Sequence, residues 1–198
     1  MDKKLVILDN GHGVDTPGKC SPDGKFREYK YAREIVKDLN ERLTAEGIKT
    51  AVLVPEEKDI SLAVRVKRAN ALCKKEPAIL ISMHVNAAAS DNKWHNATGW
   101  SAWTSVGQTE SDKIADALYS AAVETLAPLK KTLRKDMSDG DPDWESNFYI
   151  LKKTSCPAVL VENFFQDTKS DVEWLLSAEG RKAVVDIIVK GLKRYFNL

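Results

Sequence analysis

The feature that most constrains this fold is a pair of nearly uninterrupted apolar runs. Residues 78–83 read Ala-Ile-Leu-Ile-Ser-Met and residues 158–161 read Ala-Val-Leu-Val. A strand with one wet face alternates apolar and polar residues; a run of strand length without alternation is a strand covered on both faces. Both faces of a sheet are covered when helices lie on each side, so helical segments must stand between the strands. They do. Residues 28–46 place Ala32, Ile35, Val36, Leu39 and Leu43 on one stripe, with Glu34, Lys37, Asp38 and Glu41 opposite and Gly47 as the stop. Ser61 can cap a helix reaching Cys73, with Leu62, Val66, Ala69 and Leu72 inward. Residues 111–126 put Ile114, Ala117, Leu118 and Ala121 on one side. Residues 177–196 do the same with Val184, Ile187, Ile188, Leu192 and Tyr195. Further strands are expected at 5–8, 50–54, 100–104 and 148–151, and loops at 87–98 and 134–146. The expectation is an α/β chain: one domain over 1–198, with a central, twisted, mostly parallel sheet of about six strands flanked by helices.

Composition enters as a set of exclusions. Thirty Lys+Arg against 29 Asp+Glu leave a formal net charge of +1, giving no global attraction to nucleic acid or an anionic membrane. No apolar run approaches the roughly 20 residues that span a bilayer. Cys20, Cys73 and Cys156 contain no C-x-x-C pair and are odd in number, so reduced thiols are expected. Met1 to Lys4 lead into four apolar residues, short of the roughly 7–15 of a secretory leader. The expectation is a chain that stays inside until released, or one whose leader has already been removed.

Function is carried by four polar residues. His12 follows the first strand in Asp9-Asn10-Gly11-His12-Gly13; His84 follows the run 78–83; Glu162 follows the run 158–161. In open α/β sheets, ligands bind beyond the carboxyl ends of the strands, so these groups are expected at one edge. Glu28 falls within the arc of Ala32, Ile35, Val36 and Leu39 at ~100° per residue, so its carboxylate points inward. Two imidazoles and a carboxylate are the protein ligands of an open zinc site, and a further carboxylate can move a proton there. Taken singly, each residue has a plainer reading. A histidine after a strand also suits a structural hydrogen bond, Glu28 a helix N-terminus, and Glu162 an ion pair. From the residues alone, one shared site and four separate structural roles both stand.

Several segments in order resemble the zinc-dependent N-acetylmuramoyl-L-alanine amidases. Val6-Ile7-Leu8-Asp9-Asn10-Gly11-His12-Gly13 is similar to the opening Asp-Pro-Gly-His-Gly segment of that family. Glu28 resembles its second motif, and Ser61-Leu62…Arg65…Ala69-Asn70 its next helix. Ile81-Ser82-Met83-His84-Val85-Asn86-Ala87 resembles its Ser-x-His-x-Asn-Ala strand end. Phe148-Tyr149-Ile150-Leu151…Thr154…Pro157-Ala158-Val159-Leu160-Val161-Glu162 resembles its final motif. The likeness runs from about residue 4 to 195. It implies one zinc ion per chain on His12, Glu28 and His84, and Glu162 as catalytic glutamate. It implies cleavage of the amide between the lactyl group of muramic acid and L-alanine in peptidoglycan or muramyl peptides, at the cell wall. Three departures stand out. Asn10 replaces the usual proline, Asn163-Phe164-Phe165 follows Glu162, and loop 87–98 is too short for the inhibitory helix that some members carry.

Asn86, two residues past His84, is expected on the same side, orienting a ligand or binding substrate. His95 and Trp94, in loop 87–98, are candidate substrate contacts. Ser82 and Ser101 are read as structural, since this chemistry needs no Ser or Cys nucleophile. A monomer without nucleic-acid partner or membrane span is expected. Two other functions remain open: a zinc peptidase cutting within the stem peptide, and a non-catalytic wall-binding domain of the same fold.

Overall fold

In the computed structural model, which describes residues 4–198, six strands form one sheet. Residues 1–3 of the expected single domain lie outside the described residues. The strands are β1 (Leu5–Asn10), β2 (Thr50–Val52), β3 (Ala78–Asn86), β4 (Trp100–Thr104), β5 (Trp144–Glu145) and β6 (Ala158–Phe165), in the order β2-β1-β3-β6-β4-β5. The run β2-β1-β3-β6 is parallel; β4 lies antiparallel to β6 and parallel to β5. The two unalternated runs are the central strands β3 and β6, as their composition requires.

Helices cover both faces. On one side lie α1 (Glu28–Ala45), α3 (Glu110–Leu126) and α6 (Ala178–Phe196), packed over Val6, Leu8, Ile79, Ile81, Val159 and Val161. The other side carries α2 (Leu62–Cys73) and α4 (Tyr149–Lys153), over Leu5, Ile7, Leu80, Ala158 and Leu160. Helix starts follow capping chemistry. Ser61 accepts from Val64 N, Ser177 from Gly180 N, and Thr109 with Asp112 forms a capping box. A short α5 (Lys169–Leu175) was not expected from the sequence.

Several local readings are corrected. Residues 148–151 are not a strand: Tyr149–Lys153 form a single helical turn. Ile150 and Leu151, adjacent in sequence, are both buried while Phe148 and Tyr149 are exposed, a pattern that alternation cannot produce. The sixth strand is instead the two-residue β5, too short to leave a periodic signature. Leu62, expected inward, is half exposed and faces a cleft beside β1 and β3. Ala117 and Tyr195, also expected inward, are partly exposed. Strand β2 stops at Val52, two residues early. Both central strands run on past their apolar segments, so His84 and Glu162 lie within β3 and β6 rather than after them.

Candidate metal centre and active site

The α2/α4 face of the sheet changes character along its length. Every second residue of a strand shares a face. On β1 that face reads Leu5, Ile7, Asp9; on β3 it reads Ala78, Leu80, Ser82, His84; on β6 it reads Ala158, Leu160, Glu162. Register aligns the change, pairing Asp9 with Ser82 and His84 with Glu162. The apolar half is sealed by α2 and α4. The polar half opens into a cleft of about 260 Å³ whose lining includes His12, His84, Leu62 and Ile150.

His12 sits in a tight turn at φ 60°. Two glycines make that turn feasible. A Cβ on Gly11 would stand 2.3 Å from His84 Cε1, and one on Gly13 would stand 2.0 Å from Asp59 N. The turn is held by Arg65, which is 3% exposed. Its guanidinium donates to Asp9 Oδ1 at 2.6 Å, Asn10 O at 2.7 Å, His12 O at 3.2 Å and Asp59 Oδ1 at 2.8 Å. Arg33 Nη1 donates to the same His12 carbonyl at 3.0 Å. Ser82 Oγ donates to Asp9 Oδ2 at 2.6 Å, which completes that buried carboxylate. Asn10 is fully buried and ties the turn to Val54 O through Nδ2 at 3.0 Å.

Glu28 enters from the opposite helix layer. It opens α1, is 1% exposed, and reaches around the sheet edge. Its Oε1 lies 3.1 Å from His84 Nδ1 and 3.4 Å from His12 Nε2, and accepts from Val85 N at 3.0 Å. The Val85 amide faces it where the β3–β6 register slips: two steps from His84 to Asn86 oppose three from Glu162 to Phe165. This is a bulge, with Phe164 at φ 62°. Burial alone would raise Glu28, but hydrogen bonds and charge from His12 and His84 outweigh it and hold the carboxyl well below its ordinary value. Burial likewise opposes charge on His84, yet the Glu28 hydrogen bond, with the Glu28, Glu162 and Asp9 charges, raises it.

These three side chains offer donor atoms that all lie within 4.8 Å of one another. Glu28 Oε2 is buried without a partner. A buried carboxylate with a free oxygen, facing two largely buried imidazoles, fits a zinc ligand set. Glu162 lies beside it through its register with His84, and its Oε2 is also buried without a partner. Burial pushes Glu162 up to about 8; His84 opposes the shift, Glu28 adds to it, and Lys19 opposes it. It is the one acid at this edge held in a protonatable range near neutrality by its surroundings.

The remaining sequence candidates stand apart from this cluster. Asn86 Oδ1 accepts from Ala87 N at 2.8 Å, within its own loop. His95 Nε2 pairs with Asp91 Oδ1 at 2.9 Å, and Trp94, at 39% exposure, lines a shallow surface with His95 and the start of α5. Loop 87–98 contains no helix and is pinned rather than loose. Asp167 Oδ2 accepts from Ala88 N and Ala89 N, Asp167 O from His95 N, and Asp171 from Thr98 Oγ1. Ser82 and Ser101 are buried in the sheet. Sequence reasoning missed the positioning roles of Arg65 and Asp9. The available sign was an arginine on the apolar stripe of α2, between Leu62 and Val66.

Comparison with known proteins gives the arrangement a family. The profile of the N-acetylmuramoyl-L-alanine amidases matches residues 6–194. The chain belongs to that family. Its relatives include the probable cell wall amidase LytH of Staphylococcus epidermidis, 29% identical over 195 residues, covering 98% of this chain and 59% of that protein. An endolysin of Bacillus phage SPP1 is 29% identical over 199 residues, covering 98% and 67%. The crystal structure of an N-acetylmuramoyl-L-alanine amidase from Clostridium difficile 630 superposes with a TM-score of 0.84 at 26% identity, covering 100% of this chain and 98% of that one. The amidase fold is thus present over the whole chain, while the chain spans about three-fifths of the length of the LytH relatives. Among the described residues, no helix is long and apolar enough to cross a membrane.

Proposed function

We propose that this chain is a zinc-dependent peptidoglycan amidase that hydrolyses the bond between N-acetylmuramic acid and L-alanine, acting at the cell wall as a monomer. The observation that supports this most is the meeting of His12, Glu28 and His84 beside Glu162, whose Oε2 is buried without a partner, at the open end of the sheet. His12, Glu28 and His84 would hold one zinc ion, which would supply Lewis acidity for the scissile carbonyl and for a bound water. Glu162 then accepts a proton from the attacking water as its oxygen bonds to the carbonyl carbon. The same carboxyl returns that proton to the amide nitrogen as the C–N bond breaks, leaving a lactyl carboxylate and a free L-alanine amine. Arg65 and Arg33 hold the His12 turn in place through the His12 carbonyl, and the Val85 amide orients Glu28. Leu62 and Ile150 give the cleft an apolar wall for the peptide or sugar.

Mass spectrometry of digested muropeptides tests the reading. The expected products are glycans without peptide and stem peptides with a free L-alanine amino terminus. Cuts inside the stem peptide would establish the peptidase reading instead. Binding to the wall without any cleavage by zinc-loaded protein would establish a non-catalytic domain.

A further inference from the structure

A second hollow adjoins the metal centre and has no part in the chemistry proposed above. Both strands that carry His84 and Glu162 lead into it: Ala87 follows β3, and Gln166 and Asp167 follow β6. Its other wall is segment 17–22, on the way from the His12 turn to α1. That segment is fixed. Glu28 N donates to Lys19 O at 3.0 Å, and Cys20 bridges to Arg27. The hollow measures about 340 Å³, within the size of small-ligand sites, and shares no lining residue with the cleft at Leu62 and Ile150.

Its polar groups are only partly used by the fold. Gln166 is 2% exposed and is held by its backbone N on Asn86 O at 2.8 Å, yet its Oε1 is buried without a partner. Asp167, 5% exposed, spends Oδ2 on Ala88 N at 2.8 Å and Ala89 N at 3.1 Å, and its Oδ1 is also buried without a partner. An acceptor buried and left unpaired is costly, and two side by side call for a ligand that brings N–H groups. Lys19 adds a cation. It is half-buried and has no ion-pair partner among the described residues. Its charge is felt at Glu162, where it opposes the upward shift caused by burial, so ammonium and catalytic carboxyl are neighbours. With Lys93 exposed at the rim, the lining carries two ammonium groups against the one carboxylate of Asp167. A ligand that presents both N–H donors and a carboxylate is a peptide with a free acid group.

Resting on the amidase reading, we infer that this hollow receives the stem peptide, with Lys19 on a carboxylate of the residue after L-alanine and Gln166 and Asp167 accepting from peptide N–H groups. The apolar-walled cleft at Leu62 and Ile150 is then left to muramic acid, and the scissile bond lies between the two, at the metal centre. Lys19 becomes the residue that sets specificity. It favours a peptide whose acid group is free over one in which that group is a carboxamide, because amidation removes the charge while keeping the shape.

Two synthetic ligands test this: N-acetylmuramoyl-L-alanyl-D-glutamate and its analogue with both glutamate carboxyls as carboxamides. Calorimetry on zinc-loaded Glu162→Gln protein reads binding with turnover blocked, and the zinc-loaded parent reads cleavage separately. The acid should bind about tenfold more tightly than the diamide, as for a hydrogen bond to a charged group. In the same background, Lys19→Gln should bring the two affinities to within about twofold, and Lys19→Arg should keep the preference. Gln166→Leu should weaken both ligands and leave their ratio unchanged, with an unaltered far-UV spectrum. In cleavage, the ratio of kcat/KM for the two ligands cancels the effect of Lys19 on Glu162, which is common to both. Equal affinity for acid and diamide, no binding of either, a preference that survives Lys19→Gln, or Gln166→Leu affinities equal to the parent's would each overturn the inference. Cleavage by the parent without the preference sinks the subsite alone. Preferential binding without any cleavage leaves the subsite standing and sinks the amidase reading.

Discussion

Replacing Gly11 by alanine should empty the metal centre while leaving the fold in place. Gly11 does not occupy the left-handed region, so its backbone accepts a side chain. The added Cβ would stand 2.3 Å from His84 Cε1, 2.6 Å from Nδ1 and 2.8 Å from Nε2. Ordinary carbon contact begins near 3.5 Å, so the imidazole must retreat by about 1 Å. Zinc–nitrogen bonds tolerate deviations of about 0.2 Å, a fifth of that retreat. The same movement pulls Nδ1 away from Glu28 Oε1, now at 3.1 Å. Outer-shell substitutions that merely loosen a ligand lower affinity by about 10–100-fold, so this direct displacement should cost at least the upper figure, about 2.7 kcal/mol. Chelator competition measures the affinity, elemental analysis after gel filtration the occupancy, and thermal unfolding the fold. Gly18→Ala is the matched control. Gly18 has φ 69° and nothing within 4 Å of an added Cβ, so that variant should lose about 1–2 kcal/mol of stability to backbone strain and keep its zinc. A Gly11→Ala protein that binds zinc as tightly as its parent would refute the steric argument and, with it, His84 as a ligand.

Three further outcomes follow from the same geometry. Glu162→Gln should retain zinc and lose roughly 10²–10⁴-fold in muropeptide turnover, as for a missing general base; loss of zinc in that variant would make Glu162 a ligand instead. Arg65→Met should cost about 3–5 kcal/mol in urea unfolding, because it strands the buried Asp9 and frees the His12 turn, and a cost below about 1 kcal/mol would contradict the buried-pair assignment. Burial pushes Glu162 up to about 8 and contacts with Glu28 raise His84, so between roughly pH 5 and 8 the metal-free folded chain binds more protons than the unfolded one. Its melting temperature should therefore fall as pH rises through that window, and Glu162→Gln should flatten the slope; a metal-free protein that stabilises with rising pH would reverse the sign.

Patterns that depend on neighbouring residues are legible in the sequence. The unalternated runs 78–83 and 158–161 located the two central strands, and helical spacing turned Glu28 inward, where it is 1% exposed. What escaped depends on partners distant in sequence. Residues 148–151 have strand-like composition, yet the space beside α2 and β6 accommodates one helical turn that buries Ile150 and Leu151 together. The two residues of β5 are a strand only because Trp103 and Thr104 lie beside them. The role of Arg65 is not legible from its own helix, since the carboxylate and carbonyls that satisfy it belong to β1 and its turn. Asn86 is expected beside His84 from strand alternation, and His95 and Trp94 from their chemical type in loop 87–98. Their placement is set by Asp91, Asp167 and local turns, none of which spacing reveals.

The position of Glu28 explains why the centre requires both layers of the fold. His84 and Glu162 project from the α2/α4 face of the sheet, whereas α1 packs on the other face. A carboxylate from α1 can meet His84 only at the sheet's end, and only if the edge gives it a free backbone donor to anchor on. The bulge between His84 and Asn86 supplies that donor, Val85 N, and the same irregularity turns Asn163 Nδ2 onto His84 O at 3.0 Å. Asn163-Phe164-Phe165, a departure from the family pattern immediately after Glu162, is therefore part of the device that seats Glu28. Phe164 takes the strained φ of 62° while its ring is fully buried against Trp174, so core packing supports the backbone conformation that the ligand geometry needs.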